Sequence, residues 1–277
     1  MQSDTDSAAR PKAQIAGDKL TIASVAIVAY VLASIIHEGA GHGGACLAVG
    51  SSPIFLSTVN LVCSTNDRLF MAGGTLMNVV AAALFFALGR CTSASNPIWK
   101  YFFWLAMTVN LFSAAGYFVF SGVGGFGDWA VFIQGLGAPW AWRIGMTLFG
   151  AATYLLAVWF SLLEVRPLIG SDRELRYRRA VSLAWIPYFA GGSLACIAGA
   201  FNPAGLILVA LSAAASTFGG TCGLLWMMEW LKGRAIPLGS EAEPPPIPRS
   251  WGWIVTAAIA ACAFVAVLGP GLRFANG

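Results

Sequence analysis

The stretch "TIASVAIVAYVLASIIHEGAGHGGACLAVG", residues 21 to 50, is an apolar run that ends in both histidines of the chain, His37 and His42, with Glu38 beside the first. Roughly 20 apolar residues span the ~30 Å hydrocarbon layer of a bilayer, so the run reads as a membrane helix. Ionisable groups near its far end are costly in lipid and are therefore candidates for a site. Their spacing raises the difficulty. The usual helical zinc pair stands four residues apart, and this pair stands five apart. At about 100° per residue, five residues turn His42 roughly 140° away from His37. A single π-type turn returns both to one face, and Gly39 and Gly41, poor helix formers, ease such a turn.

The remaining chain is of the same kind. Of 277 residues, 58% are hydrophobic and 10% charged, and the mean hydropathy is +0.73, a composition that excludes a water-soluble globule. Apolar runs at about 20–46, 69–89, 99–121, 139–163, 180–201, 204–230 and 251–269 predict an all-α polytopic membrane protein. About seven transmembrane helices are expected, within a range of six to eight. With the N-terminus in the cytoplasm, thirteen Lys and Arg lie on inner segments and only Arg68, Arg143 and Arg273 outside. The expectation is an integral, multi-pass protein of a bacterial cytoplasmic membrane, N-terminus inside. The net charge of +4 then reads as topology and contact with membrane lipid, with no call for nucleic acid. Nothing in the sequence specifies an oligomeric state.

Organisation follows from the polar segments. Residues 1–18 read as a disordered cytoplasmic tail, 19–130 as a core of three transmembrane helices and 131–234 as accessory transmembrane helices. The stretch "AIPLGSEAEPPPIPRS", 235–250, is a proline-rich linker, and 251–277 a last, detachable helix with its tail. Six cysteines are scattered singly with no CxxC pair and read as buried small hydrophobes, Cys63 in an outer loop being the exception.

Once acids in tails, loops and helix ends are set aside, Glu38 and Asp128 remain of the twelve. Two neutral imidazoles and one carboxylate leave a fourth position on Zn²⁺ open for water, and a second carboxylate can serve as general base. His37, His42 and Asp128 are thus the candidate metal ligands and Glu38 the candidate base. Two plainer readings stand beside this: a histidine pair satisfied by water and backbone, and an aspartate capping a short helix that starts at Trp129. Depth favours a shared site. The roughly 17 residues from Leu20 to His37 rise ~26 Å, which brings the histidines near the outer face, and Asp128 follows a third crossing to that same face.

The order of features from about 31 to 130 resembles the site-2 protease family of intramembrane zinc metalloproteases. "HEGAGH", 37–42, lies toward the end of a first helix; "SPIFLSTVNLVCST", 52–65, suits a short β-hairpin-like segment; "MAGGTLMNVVAAALFF", 71–86, carries Asn78; "NLFSAAGYFVFSGVGGFGDW", 110–129, ends in Asp128. The chain departs from the family pattern in its HExxxH spacing, in Thr75 where proline is common, and in Trp129 where glycine is usual. The spacing itself resembles that of a soluble zinc peptidase family, dipeptidyl peptidase III.

The resemblance implies a zinc-dependent peptidase that hydrolyses a peptide bond of a membrane-embedded substrate helix, with segment 52–63 pairing with that substrate as an added strand. It also implies that Asn78 donates a hydrogen bond to the substrate carbonyl or oxyanion. The alternative for Asn78 is a bond between helices, the role expected of Asn110. The alternative for the whole chain is a non-proteolytic protein of the same fold that binds or chaperones a partner helix in a complex.

Overall fold

The computed structural model describes residues 17–203, 205, 209–231 and 244–274, so the tail before residue 17 and most of the proline-rich linker lie outside the described residues. Helix α1 (Lys19–Ile35) starts on Asp18, whose carboxylate accepts from the Thr21 amide at 2.9 Å. It passes without a break through a π turn, Ile36–Gly43, into α2 (Gly44–Ala48). Next come α3 (Arg68–Cys91), α4 (Pro97–Gly124), α5 (Asp128–Phe132), α6 (Pro139–Glu164), α7 (Arg166–Ile169) and α8 (Arg173–Gly199). Among the described residues, six helices are long and apolar enough to cross a membrane: Lys19–Ala48, Arg68–Cys91, Pro97–Gly124, Pro139–Glu164, Leu175–Gly199 and Trp251–Leu268.

The expected run at 204–230 forms no helix of that kind among the described residues. It is a π segment, Val209–Gly219, then α9 (Gly223–Trp226) and a 3₁₀ turn, Met227–Leu231. Hydroxyls and glycines explain the breaks: Thr217 and Thr221 bond back to carbonyls four residues earlier, and Gly220 lies against Gly116 of α4, where a Cβ would stand 3.2 Å from the facing Cα. The segment runs from the hairpin, where Ser212 donates to the Val59 carbonyl at 3.1 Å, to the start of α8, where Tyr177 bonds Glu229.

Helix α1 is central. Ile22, Val25, Ala26 and Ala29 are fully buried, in one core with Tyr101, Leu105 and Phe112 of α4 and Leu183 of α8. Lipid tails are as apolar as these side chains, so close packing of small residues does most of the joining.

The last helix, α10 (Trp251–Ala263, continuing as a π turn to Leu268), is not detachable as its linker suggested. Phe264 is buried with Val31 of α1 and Leu194 and Ala198 of α8, and Trp253 packs on Trp99 and Phe102, each at 5.1 Å. At its start Arg249 pairs with Asp18 at 2.9 Å. A proline-rich approach says how a helix is reached; complementary packing decides whether it docks.

The expected hairpin is present. Strand β1 (Pro53–Leu56) pairs antiparallel with β2 (Leu61–Cys63), and the turn closes through the Ser57 hydroxyl, which donates to Asn60 Oδ1 at 2.7 Å. A third strand was not expected. β3 (Leu272–Arg273), after the last helix, pairs antiparallel with the other side of β1, giving the order β2-β1-β3. The cysteine reading is corrected as well: Cys46 and Cys63 form a disulfide between α2 and β2, while Cys91 and Cys262 are exposed. The hairpin folds back onto the end of the first helix, and that return brings together two cysteines that sequence spacing leaves apart.

A candidate metal centre

The π turn resolves the spacing problem. One extra residue per turn carries His42 back over His37, and the two Nε2 atoms stand 3.3 Å apart. Asp128 is the first residue of α5, and its Oδ2 lies 3.3 Å from each Nε2. It reaches them because α4 ends in a glycine-rich turn in which Gly125 and Gly127 have φ of +71° and +87°, a region that disfavours other residues. A Cβ at Gly127 would also press on the Phe120 ring at 2.9 Å. The carboxylate makes no cap to α5, so the capping alternative does not describe it.

Both histidine tautomers follow from their second partners. Asn110 donates through Nδ2 to the Ala106 carbonyl at 2.8 Å, so its Oδ1 accepts from Asn78 Nδ2 at 2.7 Å. Asn78 Oδ1 is then left to accept from His37 Nδ1 at 2.6 Å. His42 Nδ1 donates to the Phe70 carbonyl at 2.7 Å. With each Nδ1 carrying its proton, each Nε2 offers a lone pair. With both imidazoles neutral, two lone pairs and an anionic oxygen converge within 3.3 Å. A proton on one Nε2, or a metal ion held between the three atoms, makes that arrangement attractive. A tetrahedral metal with bonds of about 2.0–2.1 Å has ligand-to-ligand edges of about 3.3–3.4 Å. The triangle has the size of one face of that tetrahedron, and His37, His42 and Asp128 could hold a metal ion.

Backbone walls the centre on one side. A Cβ at Gly74 of α3 would fall 2.5 Å from His37 Nε2 and 2.6 Å from His42 Nε2, so α3 can pass this close only as glycine. On another side Tyr117 of α4 stacks on the His37 ring, with centroids 4.5 Å apart and planes 24° apart. Glu38, next to His37, is buried, and its Oε2 has no hydrogen-bond partner among the described residues. It lines a cavity of about 60 Å³, room for a few waters, together with His37, Asn78, Tyr117, Ser34 and Thr58.

The five residues named from the sequence thus lie around one centre, with differences in role. Asn78 is fully buried and engaged at both ends of its amide, by His37 and by Asn110 across the α3–α4 interface. Sequence reasoning missed Tyr117, Gly74 and the link of Asn110 to the site; none carries a spacing signal. No family model matches the chain, and no curated protein or solved structure matches it either.

Proposed function

We propose that the chain is a zinc-dependent intramembrane peptidase related to the site-2 protease family, with Zn²⁺ held by His37, His42 and Asp128 and Glu38 as general base. The observation that carries this reading is the 3.3 Å triangle of two Nε2 atoms and one carboxylate oxygen, beside a buried carboxylate with a free oxygen. Zinc is the natural occupant, because two imidazoles and a carboxylate in tetrahedral array are its ligands and three protein ligands leave a position open. When bound, the ion supplies Lewis acidity to a water and to a substrate carbonyl at that position.

The protein's residues then divide the work. Glu38, which lines a cavity with room for a few waters, takes a proton from the attacking water, then returns it to the leaving amine. Asn78 and Phe70 keep both imidazoles in the ligating tautomer. Tyr117 and Gly74 fix the rings and exclude other occupants. Because β1 is filled on both sides by β2 and β3, a substrate strand pairing with this sheet would use an outer edge, and β2 is the one packed on the π turn.

Two features support an outward-facing site and a cytoplasmic N-terminus. The Cys46–Cys63 disulfide belongs to an oxidising compartment, and the thirteen-to-three division of Lys and Arg puts the opposite end inside. The broken segment 209–231 then counts as a seventh crossing, since α8 and α10 otherwise run in the same direction. The size of the cavity favours a second reading, a metal-holding protein that binds a partner helix without cutting it, because about 60 Å³ does not admit an unwound peptide segment unless the hairpin moves.

Glu38→Gln separates the two. Mapping of new chain ends in membranes from cells carrying the wild-type chain should reveal fragments of membrane proteins that vanish with Glu38→Gln while zinc content stays. Identical fragment sets in both would leave the binding reading.

A further inference from the structure

We propose that Thr75 and Trp129 form a latch that sets Asp128 onto the metal, which makes them positioning residues of the centre; this rests on the reading of His37, His42 and Asp128 as its ligands. The backbone that delivers Asp128 has little stiffness of its own. Gly125 and Gly127 both sit at positive φ, and α5 is five residues long with no side-chain cap. Yet the carboxylate must hold two 3.3 Å edges at once.

Outside groups fix the loop on both sides of the ligand. Before Asp128, Arg143 of α6 donates through Nε to the Gly122 carbonyl at 2.9 Å and through its terminal nitrogen to the Val123 carbonyl at 2.7 Å, closing the open end of α4. After Asp128, the Trp129 ring stacks on Phe118 of α4, with centroids 4.4 Å apart and planes 25° apart, and its indole N–H donates to Thr75 Oγ1 at 3.0 Å. Thr75 is buried on α3 and directly follows Gly74, the residue against both imidazole Nε2 atoms. One hydrogen bond thus ties the backbone that carries the carboxylate to the backbone that floors the imidazoles. The pair joins the two positions, Thr75 and Trp129, at which the chain departs from the site-2 protease pattern around its second and third helices.

The test is zinc retention by the detergent-purified full chain, read as the rate and affinity of zinc transfer to a chromogenic chelator. Thr75→Val keeps the shape and removes the acceptor; Trp129→Phe keeps an aromatic ring on Phe118 and removes the donor. Each should bind zinc roughly tenfold more weakly, as loss of a supporting hydrogen bond does at metal sites. The double variant should be no worse than either single one, and Thr75→Ser, which keeps a hydroxyl, should stay within about twofold of wild type. Wild-type retention in both single variants, or losses that multiply in the double variant, overturns the latch. A wild-type chain that holds no zinc overturns the ligand reading instead, so the two failures are distinct. Should Trp129→Phe fail to fold, judged by helical circular dichroism, Thr75→Val against Thr75→Ser decides alone: equal affinities overturn the proposal.

Discussion

Two imidazole nitrogens and a carboxylate oxygen, each 3.3 Å from the other two, form the candidate metal centre. Gly74→Ala puts a methyl group within 2.6 Å of both nitrogens, so zinc binding should weaken by roughly a hundredfold while the helical circular dichroism persists. Asn110→Leu cuts the relay one step further out. It frees Asn78 to rotate, and equilibrium dialysis should show zinc affinity reduced about tenfold.

These residues differ in how visible they were beforehand. His37 and His42 stood out because histidine is otherwise absent and because a five-residue spacing has one simple helical remedy. Asp128 could be matched to them by counting membrane depth. That Asn78 turns to His37 depends on the rotation of α3 about its axis, which a nearly uniformly apolar helix does not encode. Tyr117 was invisible for the same reason.

Elements are held by fewer, identifiable devices. The Cys46–Cys63 bond joins α2 to β2 and closes a loop of 17 residues, a constraint worth about 3 kcal/mol in a chain-entropy estimate. Reduction, or Cys46→Ser with Cys63→Ser, should lower the thermal unfolding midpoint and loosen the hairpin over Glu38, seen as faster amide exchange at 53–63.

At the opposite end Asp18 caps α1 and pairs with Arg249. Partial burial raises its carboxyl, but the Thr21 bonds and Arg249 outweigh this and hold it below the usual range. A depressed carboxylate stabilises the fold above its unfolded value of about 3.9 and ceases to as pH falls through its folded value. Asp18→Ala should therefore cost about 1 kcal/mol at neutral pH and progressively less in acid, by unfolding at a series of pH values. The hairpin was legible from its β-branched run. Strand β3 was not, because two residues beyond a last helix carry no pattern that names a partner strand.

At the scale of the whole molecule, the hairpin, the disulfide, the end of α4 and the candidate metal centre share one end of the bundle, while Asp18, Arg249, Arg90 and Glu164 occupy the other. Composition alone conveyed the helical, membrane-like architecture. It did not convey that the run at 204–230 is broken, because hydropathy sums over residues and ignores hydroxyl and glycine interruptions. The outward reading of the centre predicts that a cysteine replacing the exposed Thr65 reacts with an impermeant maleimide in intact cells, and that one replacing Ser171 does so only after lysis; the reverse labelling would invert the orientation.

The central claim is that three residues from two distant parts of the chain bind one ion. Elemental analysis of the purified protein, wild type against Asp128→Asn, tests it most directly. The account predicts about one zinc per chain in the wild type and almost none in the variant. A wild type without metal, or a variant that keeps its full share, would contradict it.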